Sequence, residues 1–236
     1  MVVLAILGKG GAGKTTLAAN LAAAVAEIGI STVVADFDII TGDLAEHFAK
    51  KDVKTSIHDL IAAEDLTREI LDSCLVEVSK NLRIVPSITG ASLEPLAKVF
   101  SSSSIIRAVR ALSEICDLLV LDFASLDPYA AVALPACTHA LLVIDGTSSS
   151  MIVAERAARA CHLAGTFPVG YVVSRGGYTG ENIAGLSCLA VLPHEDSLPR
   201  HYRNGPLVIT APGSPYSQRV RELARLLVGK EKSSGG

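Results

Sequence analysis

Residues 8–16 read Gly-Lys-Gly-Gly-Ala-Gly-Lys-Thr-Thr and follow the apolar run Val2-Val3-Leu4-Ala5-Ile6-Leu7. Gly8, Gly13, Lys14 and Thr15 satisfy the spacing G-x-x-x-x-G-K-[ST]. Glycines permit backbone torsions that a Cβ forbids, so successive N–H groups can turn inward and cradle phosphate oxygens at the start of a helix. Gly10, Gly11, Ala12 and Thr16 complete that cradle. Lys14 is placed to reach the β- and γ-phosphates, and the Thr15 hydroxyl to ligate Mg2+, which prefers oxygen donors and keeps several waters. The same residues would also suit a glycine-rich strand-to-helix turn without ligand. The context favours the nucleotide: a buried-type strand precedes the loop, and Thr16–Ala26 is rich in strong helix formers. Lys9 is a second lysine, near the loop's start, where the nucleotide of a partner subunit could use it.

Carboxylates come next. Asp36 and Asp38 lie in Val33-Val34-Ala35-Asp36-Phe37-Asp38-Ile39, and Asp122 ends the apolar run Leu118-Leu119-Val120-Leu121. A carboxylate at a strand's carboxyl end beside a phosphate loop complements a divalent cation. Singly, Asp36 or Asp38 reads as a turn or helix-cap residue; beside the loop, both read as functional.

Positioning these groups requires a particular scaffold. Half of the 236 residues are hydrophobic and only 4% are aromatic, so the core is built from Ala, Val, Leu and Ile, as buried parallel strands demand. Strand-like runs at Val2–Leu7, Thr32–Asp36, Leu82–Pro86, Leu118–Asp122, Ala140–Ile144, Val169–Ser174 and Cys188–Leu192 alternate with helical ones. The helical patterns are Thr16–Ile28, Ser56–Ala63, Leu66–Cys74, Ile105–Glu114, Ser149–Ala164 and Tyr216–Val228. This alternation predicts an α/β fold: a doubly wound, mostly parallel sheet of about seven or eight strands with helices on both faces. A single domain over 1–229 and a disordered polar tail over 230–236 are expected. In the serine run 101–104 the last serine is expected to cap the following helix.

The five cysteines are scattered, odd in number and contain no C-x-x-C, which suits buried free thiols better than a disulfide frame or metal cluster. His194-Glu195-Asp196 reads as loop polarity rather than a metal site. Net charge is −3, so no global basic field draws the chain onto nucleic acid. No long uncharged apolar stretch and no signal-peptide pattern occur, and a cytoplasmic location is expected.

The run Lys9–Thr16 resembles the deviant Walker A loop of the MinD/ParA family of ATPases. Residues Val33–Ile39 look like that family's second strand and switch I. Asn81–Ser87 is similar to its middle strand, and Gly205–Val208, Pro212–Pro215 and Arg221–Ala224 to a closing stretch nearer to MinD. The resemblance spans about residues 2–229. It implies ATP and Mg2+ as cofactors and an ATP-sandwiched homodimer in which Lys9 reaches the partner's phosphates. It further implies Lys14, Lys9 and Asp38 as catalytic groups, with Asp38 positioning the attacking water. Mg2+ would be held by Thr15 and, through water, by Asp122, with Asp36 near its water shell. A regulatory protein partner is expected, and hydrolysis would act as an order-and-release switch.

Departures from the family pattern matter as well. After the Walker B Asp the family usually carries Asp-x-Pro-x-Gly; here the run is Asp122-Phe123-Ala124-Ser125-Leu126. Leu126 keeps an N–H for a γ-phosphate, but its Cβ restricts the torsions, so slow or partner-dependent turnover is expected. Where the family places an adenine-reading Asn, this chain has Ser174 and Arg175, with Pro193 opening the loop on the other side of the base. The last helix, with Val220, Leu223, Ala224 and Leu227 on one face, reads as a core helix rather than an interfacial membrane helix. Arg200, Arg203, Arg219, Arg221 and Arg225 could gather into a weak DNA-binding patch. The alternatives are a ParA-like partition ATPase, a metallochaperone lacking the usual paired cysteines, and a non-hydrolysing nucleotide-binding adaptor.

Overall fold

The computed structural model describes residues 1–50, 53–88, 101–175, 182–195 and 204–233. Eight strands form one sheet: β1 (Val2–Gly8), β2 (Thr32–Asp36), β3 (Val76–Ser79), β4 (Leu82–Val85), β5 (Leu118–Asp122), β6 (His139–Ile144), β7 (Phe167–Val173) and β8 (Cys188–Val191). Their order is β3-β4-β2-β5-β1-β6-β7-β8, and every adjacent pair is parallel except β3 with β4. All seven strands read from sequence are present. The eighth, β3, was missed because Val-Glu-Val-Ser is only four residues long at the sheet edge, with alternate residues half-buried and exposed.

The helices are α1 (Lys14–Glu27), α2 (Leu44–His47), α3 (Ile57–Ala62), α4 (Arg68–Ser73), α5 (Ser102–Ser113), α6 (Pro128–Ala133), α7 (Ser148–Ala164), α8 (Leu207–Thr210) and α9 (Pro215–Ser233). A side-chain period of two splits β1 between two cores. Val3, Ala5 and Leu7 join the layer under α3, α5, α6 and α7. Leu4 and Ile6 join the layer under α1, α8 and α9. The alanine-rich α1 is buried along nearly its whole length, which small side chains allow. Its Asn20 donates to Thr16 O at 2.8 Å and accepts from Val208 N at 3.0 Å, so the one buried amide of α1 is satisfied and holds α8.

Several details differ from expectation. The first serine of the run, Ser101, caps α5: its Oγ accepts from Ser104 N at 3.1 Å. The last helix continues to Ser233, so the expected tail begins inside it; 234–236 lie outside the described residues. The Val220, Leu223, Ala224 face is buried in the core, as read. Arg221 does not join a basic patch. It forms a two-point pair with Glu27 of α1 (2.7 and 2.9 Å) and donates to Val208 O and Pro212 O. Arg219 pairs with Glu222, and Arg200 and Arg203 lie outside the described residues. All five cysteines are free; Cys74, Cys137 and Cys161 are buried as expected, but Cys116 is only half-buried and Cys188 is exposed.

A candidate nucleotide site at the carboxyl edge of the sheet

β1 lies between β5 and β6, where successive connections leave in opposite directions, and the crevice outside its carboxyl end is the expected ligand position in such sheets. The loop 8–13 fills that crevice. Gly8 passes so close to β6 that a Cβ would sit 2.3 Å from Val143 O. Gly11 and Gly13 adopt left-handed φ values of 77° and 86°, and Gly13 starts α1 without a side-chain cap. No side chain caps the start of α1, and a helix N-terminus of this kind favours an anion.

Lys14 is buried at 5% exposure, and its ammonium curls back to donate to Lys9 O at 3.0 Å. Burial lowers its pKa, while the charges of Asp122, Asp38 and Asp127 push the other way. An anion brought into the loop would relieve that burial penalty.

Two carboxylates sit side by side at neighbouring strand ends, because β2 and β5 register Asp36 opposite Asp122. The residues that follow them, Phe37 and Phe123, are fully buried and pack at a 5.4 Å ring separation within the core, which anchors both strand ends. Asp122 is 1% exposed; its carboxylate hydrogen-bonds the Thr15 hydroxyl, and Oδ1 has no partner among the described residues. Burial drives its pKa up to about 7 against the opposing effects of Thr15 and Lys14. Asp36 is raised well above the carboxylate range, by burial first and by the Asp122 charge second. Its oxygens are engaged, however: Oδ1 accepts from Asp38 N, and Oδ2 from Leu44 N and Ser87 Oγ, each at 3.1 Å. Of the pair, Asp122 is the one with an oxygen left over. Asp38 is half-buried and accepts from Thr41 N at 2.9 Å.

Lys9 extends along the surface, and its Nζ donates to Ser149 Oγ at 2.8 Å. Ser149 lies in the first turn of α7, next to Thr147, whose hydroxyl donates to Asp145 at 2.6 Å. Burial would raise the Asp145 carboxylate, but Thr147, Ser150 and the Lys9 charge outweigh it and bring the pKa down to about 2. On the opposite flank Ser174 directly follows β7. Its Oγ is buried without a partner among the described residues, and it faces the Gly13 position. Arg175 donates to Gly11 O at 3.1 Å, and Pro193 is half-buried just past β8. Hydrogen bonds, shared charge effects and close approach link Lys9, Lys14, Thr15, Asp36, Asp38, Asp122, Ser174 and Arg175 around the phosphate loop.

Asp127, Ser87, Gly42 and Ser149 were not singled out in sequence. Asp127 caps α6 by accepting from Ala130 N at 2.8 Å, and its charge acts on Lys14. The Asp127-Pro128 dipeptide is a legible helix-start signal.

The residues suit a magnesium–nucleotide. A divalent cation finds the leftover oxygen of Asp122 and the neighbouring Thr15 hydroxyl. Among the described residues, no three His, Cys, Asp or Glu side chains converge as a metal cage. A cation held at Asp122 and Thr15 would complete its oxygen shell with phosphate oxygens and water, as Mg2+ does in phosphate-transfer sites.

A family model described as an AAA domain matches residues 1–155. An uncharacterized ATP-binding protein of Methanocaldococcus jannaschii is 27% identical over 232 residues, 94% of this chain and 85% of that protein. The septum site-determining protein MinD from Pyrococcus horikoshii, solved with Mg-ADP, superposes with a TM-score of 0.85 at 23% identity, covering 99% of this chain and 97% of its own. A ParA family ATPase from Chlorobium tepidum gives 0.82 at 19% identity, over 94% and 98% of the two chains. The family model spans well over half of the chain and includes the phosphate loop, so the chain belongs to that AAA-domain family, and its fold is the one seen in the MinD and ParA structures.

Proposed function

We propose that this chain binds Mg-ATP in the crevice outside β1, dimerises through the bound nucleotide, and hydrolyses it slowly to switch a macromolecular partner on or off. One observation carries the reading: the Asp122 carboxylate is buried, beside Thr15 and the desolvated Lys14, with an oxygen that has no partner among the described residues. Leaving such groups bare is costly, and a cation held between triphosphate and carboxylate would offset that cost.

In this reading the loop amides and Lys14 bind the β- and γ-phosphates. Thr15 ligates Mg2+, Asp122 holds one of its waters, and Asp36 shapes the loop beside them. Mg2+ supplies charge neutralisation on the phosphate oxygens. Asp38 orients the attacking water. Ser174 and Arg175 lie on the base side with Pro193. Lys9 reaches the partner's phosphates, and loss of the γ-phosphate releases the dimer. Leu126, in place of the switch II glycine, favours slow or partner-stimulated turnover. The MinD-like reading is supported by the Pyrococcus horikoshii likeness; the ParA-like reading, with DNA as partner, has less support because Arg221 and Arg219, two of the five arginines of the expected patch, are paired with Glu27 and Glu222.

The test is sedimentation of wild-type and Lys9→Ala protein with Mg2+ and a non-hydrolysable ATP analogue. Wild type is expected to shift to dimer and the variant to remain monomeric with nucleotide affinity largely intact. Monomers of wild type at every concentration would remove the dimer from this reading.

A further inference from the structure

The segment 38–44 is closed on itself by one carboxylate. Asp36 accepts from Asp38 N at the segment's start and from Leu44 N at its end. A third donor comes from outside the loop: Ser87, just beyond the end of β4, gives its hydroxyl to Asp36 Oδ2 at 3.1 Å. Ser87 is itself buried, at 7% exposure. Gly42 lies directly over this cluster. A Cβ on Gly42 would stand 2.1 Å from Ser87 Oγ and 2.3 and 2.5 Å from the two Asp36 oxygens, so a side chain here would displace the hydroxyl and carboxylate that hold the loop. Gly42 N donates to Asp38 O at 2.9 Å, and the preceding Thr41 binds the Asp38 carboxylate through both N and Oγ1. The Thr41-Gly42 turn is therefore gripped from both sides, by Asp38 and by the Asp36–Ser87 pair.

We infer that Ser87 and Gly42 are positioning residues for hydrolysis: Ser87 fastens Asp36, Gly42 lets the turn seat on that pair, and the seated turn aims Asp38 toward the loop. The inference rests on the nucleotide reading above and deepens it. Neither residue touches the reacting atoms; both act through Asp36 on Asp38. A one-atom change at Ser87 loosens the turn without touching the phosphate cradle, so hydrolysis and binding should separate.

The experiment is single-turnover hydrolysis of Mg-ATP by the full chain, with affinity for a fluorescent ADP analogue measured in parallel. Ser87→Ala is expected to slow hydrolysis about tenfold and to change affinity less than about twofold. Ser87→Cys, which keeps the shape and a weak donor, should fall between. In an Asp38→Ala background, Ser87→Ala should cause no further loss, because both act through one group. A wild-type rate in Ser87→Ala, or an equal fold loss in both backgrounds, overturns the inference. If Ser87→Ala does not fold, Ser87→Cys carries the test, and a wild-type rate there overturns it. Wild-type protein that neither binds nor hydrolyses ATP would instead overturn the nucleotide reading, and this inference with it.

Discussion

The Lys9 ammonium donates to the Ser149 hydroxyl at 2.8 Å, tying the phosphate loop to the first turn of α7. The residues that flank this bond, Thr147 and Asp145, extend it into a small anionic network at the start of that helix. Lys9 must leave Ser149 if it is to reach another subunit. The bond is exposed, so it is worth about 0.5–1.5 kcal/mol. A dimer releases two such bonds, so Ser149→Ala should raise the ATP-dependent association constant roughly 5–100-fold, whereas Lys9→Ala should abolish dimerisation. Multi-angle light scattering across a protein titration distinguishes these; equal constants for Ser149→Ala and wild type would mean that the contact does not restrain the lysine.

Gly8 offers a steric prediction. A Cβ there meets the Val143 carbonyl of a central strand at 2.3 Å, and backbone cannot move aside as a side-chain tip can. Gly8→Ala is expected to destabilise the chain by about 1–3 kcal/mol or more and to displace the loop. Gly10→Ala, where a Cβ meets nothing within 4 Å, should cost far less. Urea melts of the two variants give the comparison, and similar midpoints would contradict it.

Arg221 joins three elements: Glu27 in α1, Val208 in α8 and the turn at Pro212. Its guanidinium is only 21% exposed against 38% for Glu27, so the pair is better shielded than an ordinary surface bridge. Charge-assisted two-point geometry and two carbonyl acceptors suggest a loss of about 2 kcal/mol for Arg221→Ala. Arg219→Ala, whose partner Glu222 is more open, should cost well under about 1 kcal/mol. Equal thermal shifts for the two would show that the difference in shielding has no weight.

The central strands and the phosphate loop could be read directly because their signals are local: continuous apolar runs, glycine spacing and a helix former in sequence. The placement of Asp122 beside Thr15 was also accessible, since a strand's last residue must reach the crevice. What escaped was set by contacts distant in sequence. Ser87 matters because β4 pairs with β2, and Gly42 because its turn lands on Ser87, neither of which a linear pattern encodes. Arg221 looked like one of several basic residues until the packing of α9 on α1 brought Glu27 to it. The edge strand β3 failed for lack of length, and the serine run misled because four identical residues give no sign of which one caps.

Asp122 yields a prediction with a definite sign in pH. In the folded chain without metal its pKa lies at about 7, above the ordinary carboxylate value, because burial disfavours the charge. Between the two values the folded chain holds a proton that the unfolded chain has lost. Stability should therefore be greatest below the unfolded pKa and should fall as pH rises through this window, by at most about 1.4 kcal/mol per pH unit from this group. Asp36, shifted in the same direction, adds to the trend. A cation that favours the ionised carboxylate opposes it, so Mg2+ with nucleotide should stabilise more at pH 7.5 than at pH 5. Asp122→Asn removes the titrating group, and its melting temperature in chelator should vary less with pH than that of wild type. The same variant should lose most of the extra stabilisation that Mg2+ adds to nucleotide alone. Melts of both proteins at pH 5 and 7.5, with chelator and with Mg-ADP, measure all of this; a pH trend as steep in Asp122→Asn as in wild type would place its origin elsewhere.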